Sequence, residues 1–143
     1  MKKVLVLYWS GTGNTEKMAY SVLRGIRDGM AEGELVHCQS FKLSMLEEYD
    51  SFAFGCPATG NEELEESEFE PVFSQIEPCL MGKRIALFGS YGWGGGIWMK
   101  NWEARCRDAG AVLVSSPVIC CDEPDSDTLA ALEGLGKILA EKI

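Results

Sequence analysis

The chain has 143 residues, 46% of them hydrophobic, with a formal charge of −9 and six cysteines. That length fits one domain able to hide roughly 70% of its unfolded surface. The negative charge excludes an ordinary nucleic-acid surface, whose phosphate partners need Lys and Arg, and no apolar run nears the ~20 residues of a membrane span.

The chain opens on "MKKVLVLYWSG", two lysines followed by apolar residues. The run is too short for a secretory signal, which usually carries ~7–15 apolar residues, and no small-residue cleavage site follows. It reads as a first strand, Val4–Tyr8, in a cytoplasmic protein. Further strands read at Leu35–Cys38, Ser51–Gly55, Ile85–Gly89 and Val112–Ile119. Several are apolar on both faces, as a covered parallel sheet requires.

Helical stripes alternate with these runs: Met18, Ala19, Val22, Leu23 and Ile26; Phe69, Val72, Phe73, Ile76 and Leu80; Trp98, Met99, Trp102, Cys106 and Ala109; Leu129, Leu132, Leu135 and Leu139. Segment 41–49 reads as a short helix, and "SEFE" (67–70) as a capping box between Ser67 and Glu70. No repeat, linker or domain boundary interrupts the pattern. Five β-α units with right-handed crossovers predict an α/β three-layer sandwich, its five-stranded parallel sheet in the order 2-1-3-4-5. Residues 1–143 are expected to form a single domain.

Such sheets bind ligands at the carboxyl ends of their strands. Those ends carry "WSGTGNT", "CPATGNEE", "SYGWGGG" and "CCDEPD". The first loop, Ser10-Gly11-Thr12-Gly13-Asn14-Thr15, offers backbone N–H groups, hydroxyls and an amide at a helix N-terminus, with no Lys or Arg. It lacks the lysine of a nucleoside-triphosphate loop, and position 16 is Glu where a dinucleotide fingerprint needs Gly. A monoester phosphate held by neutral donors fits it. Tyr91 and Trp93 stand among glycines on the third loop, where a flat ligand would cover them. The implied ligand has a phosphate at one end and a large ring at the other.

The cysteines form no Cys-x-x-Cys pair, and the lone His37 completes no zinc site. They read as reduced, small hydrophobic residues, with the adjacent Cys120 and Cys121 poorly placed for an ordinary disulfide. Acidic runs at 61–70 and 121–127 read either as solvated faces or as a rim around the site. No catalytic triad is evident.

"YWSGTGNTEKMA", "LEESEFEP", "GKRIALFGSYGWG" and "EPD" resemble the flavodoxin family, especially its short-chain clostridial-type members, and the likeness runs from Val4 to Ile143. The resemblance implies a flavodoxin-like fold holding one non-covalent FMN. It further implies a low-potential one-electron carrier, not an enzyme, that shuttles between semiquinone and hydroquinone. Residues Ser10, Gly11, Thr12, Gly13, Asn14 and Thr15 then hold the phosphate, with Trp9 nearby. Trp93 stacks on the isoalloxazine, beside Ser90, Tyr91, Gly92 and Gly94. Pro57, Ala58, Thr59, Gly60, Asn61 and Glu62 fall by the flavin N5, and Asp122 and Glu123 border the pyrimidine edge. The sequence departs from the family pattern at Thr59 (often Met), Asn61 (Asp), Pro57 (Ser) and Asp122 (Asn), which bears on redox potential more than on binding.

Partners implied are redox proteins with basic docking surfaces, with a monomer as the default. One rival is an NAD(P)H-dependent FMN or quinone reductase on the same fold, separable by turnover. A receiver-like signalling domain is excluded, because residues 8–10 and 55–57 lack its acidic pair and acceptor Asp.

Overall fold

The computed structural model describes residues 1–141; residues 142 and 143 of the expected domain lie outside the described residues. Five parallel positions make the sheet: β1 (Lys3–Tyr8), β2 (Glu32–His37), β3 (Ser51–Gly55), β4 (Arg84–Tyr91) and a fifth split into β5 (Val112–Leu113) and β6 (Val118–Cys121). The order is β2-β1-β3-β4-β5, with β6 also beside β4. The sheet order matches the expectation, whereas the single strand Val112–Ile119 does not form. Val114 still donates to the Ile85 carbonyl (3.0 Å). Pro117 has no N–H to continue the ladder, and pairing resumes at Val118 opposite Phe88.

Alternation along the central strands sorts the core into two halves, because successive side chains of a strand face opposite ways. Leu5, Leu7, Phe52, Phe54, Ile85 and Leu87 pack with α2 (Phe69–Ile76) and α3 (Ile97–Asp108). Val4, Val6, Ala53, Ala86 and Phe88 pack with α1 (Asn14–Asp28) and α4 (Ser126–Ala140). A strand sandwiched in this way must be apolar at every position, and Val4 to Tyr8 are all buried. Small residues bring α1 and α4 together. A Cβ on Gly136 would lie 2.1 Å from the Val22 carbonyl oxygen, and one on Gly25 would lie 1.9 Å from that of Glu133.

Two local expectations change. Segment 41–49 contains only a 3₁₀ turn, Leu43–Glu47. The capping box at Ser67 does not form, since Glu65 serves instead. Its carboxylate accepts from the backbone N–H groups of Ser67 (2.9 Å), Glu68 (2.7 Å) and Phe69 (2.9 Å). Two carboxylate oxygens cover more of the unpaired N–H groups of a helix start than one hydroxyl can. Glu70, the other half of the expected box, is drawn away by Arg105 of α3, whose Nη1 and Nη2 donate to it at 2.7 and 2.6 Å.

Candidate functional site

Four loops leave the carboxyl ends of β1, β3, β4 and β6 and meet along a groove of about 300 Å³. Trp9, Gly11, Thr12 and Asn14 line it from the first loop, and Pro57, Ala58 and Thr59 from the second. Ser90, Tyr91 and Gly92 come from the third, and Asp122 from the fourth. A recess of about 40 Å³ shares Ala58, Thr59 and Gly92 with the groove and adds Gly60, Glu62 and Trp93. A larger groove of about 420 Å³ lies at the opposite end of the sheet, by Lys3, Arg27, Glu32 and Tyr49, and holds none of the expected site residues.

Backbone bonds fix the loops to one another. Ala58 N–H donates to the Ser90 carbonyl (3.0 Å) and Asp122 N–H to that of Tyr91 (2.7 Å). Trp98 Nε1 donates to the Cys56 carbonyl (3.1 Å). Thr59 and Glu63 exchange both backbone bonds (2.8 and 3.0 Å), so Gly60, Asn61 and Glu62 form the tip of a tight hairpin. Among the described residues, three besides glycines have positive φ: Met30, Glu62 and Asp122. The latter two border the recess and the groove, and such a backbone costs an L-residue about 1–2 kcal/mol.

Internal bonds shape the first loop. Ser10 does not line the groove; its Oγ accepts from the N–H groups of Gly13 (3.1 Å) and Glu16 (3.3 Å). Gly13, at φ 101°, starts α1 in a left-handed conformation open to glycine. Thr15 is 1% exposed, and its hydroxyl has no hydrogen-bond partner among the described residues. An unpaired buried hydroxyl normally costs about 1–3 kcal/mol. Here it lies in the first turn of a helix whose N-terminus favours an anion.

Trp93 projects into solvent, 65% exposed, whereas Tyr91 packs against Trp98 with ring centroids 5.6 Å apart. The loop aromatic left free to stack is Trp93. Asn61 is exposed at the hairpin tip, and the Glu62 carboxylate lies against Gly94, so a Cβ there would clash. Glu123 is not brought into the groove. Its carboxylate takes a hydrogen bond from Lys17 of α1 at 2.8 Å, and that ammonium holds its pKa below the ordinary value. Asp122 alone of the expected pair faces the groove.

Several residues that shape the site were not expected: Glu65, Glu68, Lys17 and Gln39. For Glu65 and Glu68 the signal was the acidic run itself, whose members Glu65, Glu68 and Glu70 are spent on internal bonds; Lys17 and Gln39 carried none. None of the cysteines is in a disulfide. Burial pushes the thiols of Cys38 and Cys106 up to about 12, which leaves them protonated at neutral pH. No cluster of metal ligands occurs among the described residues, and no helix there is long and apolar enough to cross a membrane.

The flavodoxin family profile matches residues 6–134. The chain belongs to the flavodoxin family. It is 43% identical over 135 residues to the flavodoxin of Clostridium beijerinckii, covering 94% of this chain and 97% of that one. It is 42% identical over 116 residues to the flavodoxin of Megasphaera elsdenii, covering 81% and 85%. The solution structure of two-electron reduced Megasphaera elsdenii flavodoxin superimposes with a TM-score of 0.88 at 40% identity, covering 96% of this chain and 98% of that one. Flavodoxins are electron-transfer proteins, not enzymes.

Proposed function

We infer that the groove holds one non-covalent FMN and that the chain works as a low-potential one-electron carrier. The observation that carries this reading is the buried, unpartnered Thr15 hydroxyl beneath a loop with no cation. A monoester phosphate there would accept from that hydroxyl and from the backbone N–H groups between Ser10 and Thr15. When bound, the flavin supplies the electron storage.

The chain's residues tune that storage. Trp93 would cover one ring face and exclude water. Gly60, at the tip of the pinned hairpin, would offer its carbonyl as an acceptor at the flavin N5. Asp122 and Glu62, both held at strained backbone positions, keep negative charge near the ring and oppose further charge on it. The last electron is therefore held weakly. Trp9, Ser10–Asn14, Pro57–Thr59, Asn61, Ser90–Gly92 and Gly94 complete the walls, while Glu123 acts from outside through Lys17.

Residues 1–143 act as one FMN-binding unit, a monomer working in the cytoplasm with redox partners that present basic docking surfaces. Of the acidic run at 61–70, Glu63 and Glu66 are exposed and available for that docking. The test is colour and titration. Purified protein should be yellow and accept electrons one at a time from dithionite without air. A colourless protein that leaves FMN fluorescence unquenched would overturn the reading, and NAD(P)H-driven turnover of a quinone would favour a reductase instead.

A further inference from the structure

Trp9 directly follows β1 and begins the first loop. Its indole Nε1 donates to Glu68 Oε1 at 2.6 Å, and the other oxygen of Glu68 accepts from Gln39 Nε2. Its six-membered ring lies on the loop, so close that a Cβ on Gly11 would come within 2.8 Å of Cη2. Its backbone N–H is tied to the Gly55 carbonyl (3.0 Å). One carboxylate thus joins three segments otherwise far apart in sequence: the loop after β1, the turn after β2 and the start of α2.

We propose that Glu68 is a positioning residue for anion binding, which holds Trp9 flat against Gly11 and so keeps the Ser10–Thr15 loop in its phosphate-receiving shape. The inference rests on the FMN reading and deepens it. A tryptophan side chain at the start of a glycine-rich loop has several rotamers open to it. A charge-assisted bond at this length selects one, and the second bond from Gln39 holds the carboxylate itself in place. Glu68's side-chain hydrogen bonds go to Trp9 and Gln39, so its effect on phosphate passes through the indole.

Electrostatics alone would act with the opposite sign. A carboxylate near a dianion repels it, so removing Glu68 should tighten FMN binding if charge were all that mattered. Positioning predicts weakening instead. The two can be separated, because Glu68→Gln removes the charge while keeping an oxygen for Trp9 Nε1, and Glu68→Ala removes both.

The experiment titrates the full chain, freed of flavin, with FMN and separately with riboflavin, followed by fluorescence. Glu68→Ala is expected to weaken FMN by about tenfold, the size of one charge-assisted hydrogen bond, with riboflavin nearly unchanged. Glu68→Gln should bind FMN as wild type or tighter. Trp9→Phe, which keeps a ring but loses the N–H, should match Glu68→Ala, and the Trp9→Phe/Glu68→Ala pair should be no worse than either alone. Additive losses, equal losses for both ligands, or tighter FMN binding by Glu68→Ala would overturn the proposal while leaving the FMN reading standing. Failure of the wild-type chain to bind FMN would overturn both.

Discussion

Thr59 and Glu63 bond to each other twice through their backbones, at 2.8 and 3.0 Å, with three residues between them. This closes the hairpin beside the recess and places Gly60 at φ 55° with open space where a Cβ would stand.

Gly60→Ala should therefore strain the hairpin in every state, by about 1–2 kcal/mol. Turning the next peptide to a type II′ turn keeps φ at this position near about +60° but moves ψ to where only Gly is comfortable. The added strain falls on the form that offers its carbonyl to N5. The expected outcome is near-normal binding of oxidised FMN with a lower yield of one-electron-reduced flavin in an anaerobic dithionite titration. An unchanged yield would place the N5 acceptor elsewhere.

Thr15→Val separates folding from binding. The hydroxyl is buried without a partner, so its loss should leave the flavin-free chain as stable or about 1 kcal/mol more stable. FMN affinity should fall by about 1.5–3 kcal/mol, with riboflavin affinity unchanged. Thr12 is exposed, and Thr12→Val should cost less. Thermal melts without flavin and fluorescence titrations with both ligands check each part.

Trp93 has little to lose on folding. At 65% exposure, Trp93→Ala should change flavin-free stability by less than about 0.5 kcal/mol. It should still weaken flavin binding, reduce quenching, and make the fully reduced flavin easier to form, because water then reaches the anion. Wild-type quenching and potentials in that variant would shift the stacking role to another residue.

Acid sensitivity follows from two carboxylates. The Arg105 guanidinium holds Glu70 below its ordinary value of 4.5. Partial burial pushes Glu65 up, but the N–H groups of Phe69, Glu68 and Ser67 outweigh it and hold it below the same value. A carboxylate with a depressed native pKa stabilises the fold above its unfolded pKa, and that stability is lost as pH falls through the native one. Wild type should thus weaken below pH 4.5. Glu70→Gln should be less stable at neutral pH and lose less on acidification. Melting curves stepped below that pH read the slopes, and parallel slopes would remove Glu70 from the account.

Two glycines of α4 should respond oppositely to alanine. A Cβ on Gly136 meets the Val22 backbone, whereas one on Gly134 meets nothing. Gly136→Ala should destabilise by about 1–3 kcal/mol through overpacking. Gly134→Ala should stabilise by up to about 1 kcal/mol through helix propensity. Paired thermal melts decide, with FMN affinity unaffected in both.

Local pattern carried a great deal of this. Val4–Tyr8 and Ile85–Gly89 are readable as central strands because a strand covered on both faces must be apolar throughout, and side-chain period alone says so. The loop 10–15 is readable as an anion site because N–H groups at a helix start are a backbone property, independent of what packs nearby. Pro117 was equally visible, but whether a strand passes it or breaks depends on where β4 offers its next partner.

The doubly covered strands and the loops at their carboxyl ends were determined by the sequence itself, since each rests on periodicity or turn chemistry within a few residues, and the sheet order followed from the handedness of the crossovers between them. Only the tertiary structure decided how the acidic run is used. Sequence pairs Ser67 with Glu70 as a capping box and leaves Glu65 and Glu68 as members of a solvated face or rim. The choice among them is made by Arg105, which comes from α3 thirty-five residues beyond Glu70, and by Trp9, fifty-nine residues before Glu68. A carboxylate takes whichever donor folding delivers within hydrogen-bond reach, and that distance exists only once the helices are packed on the sheet.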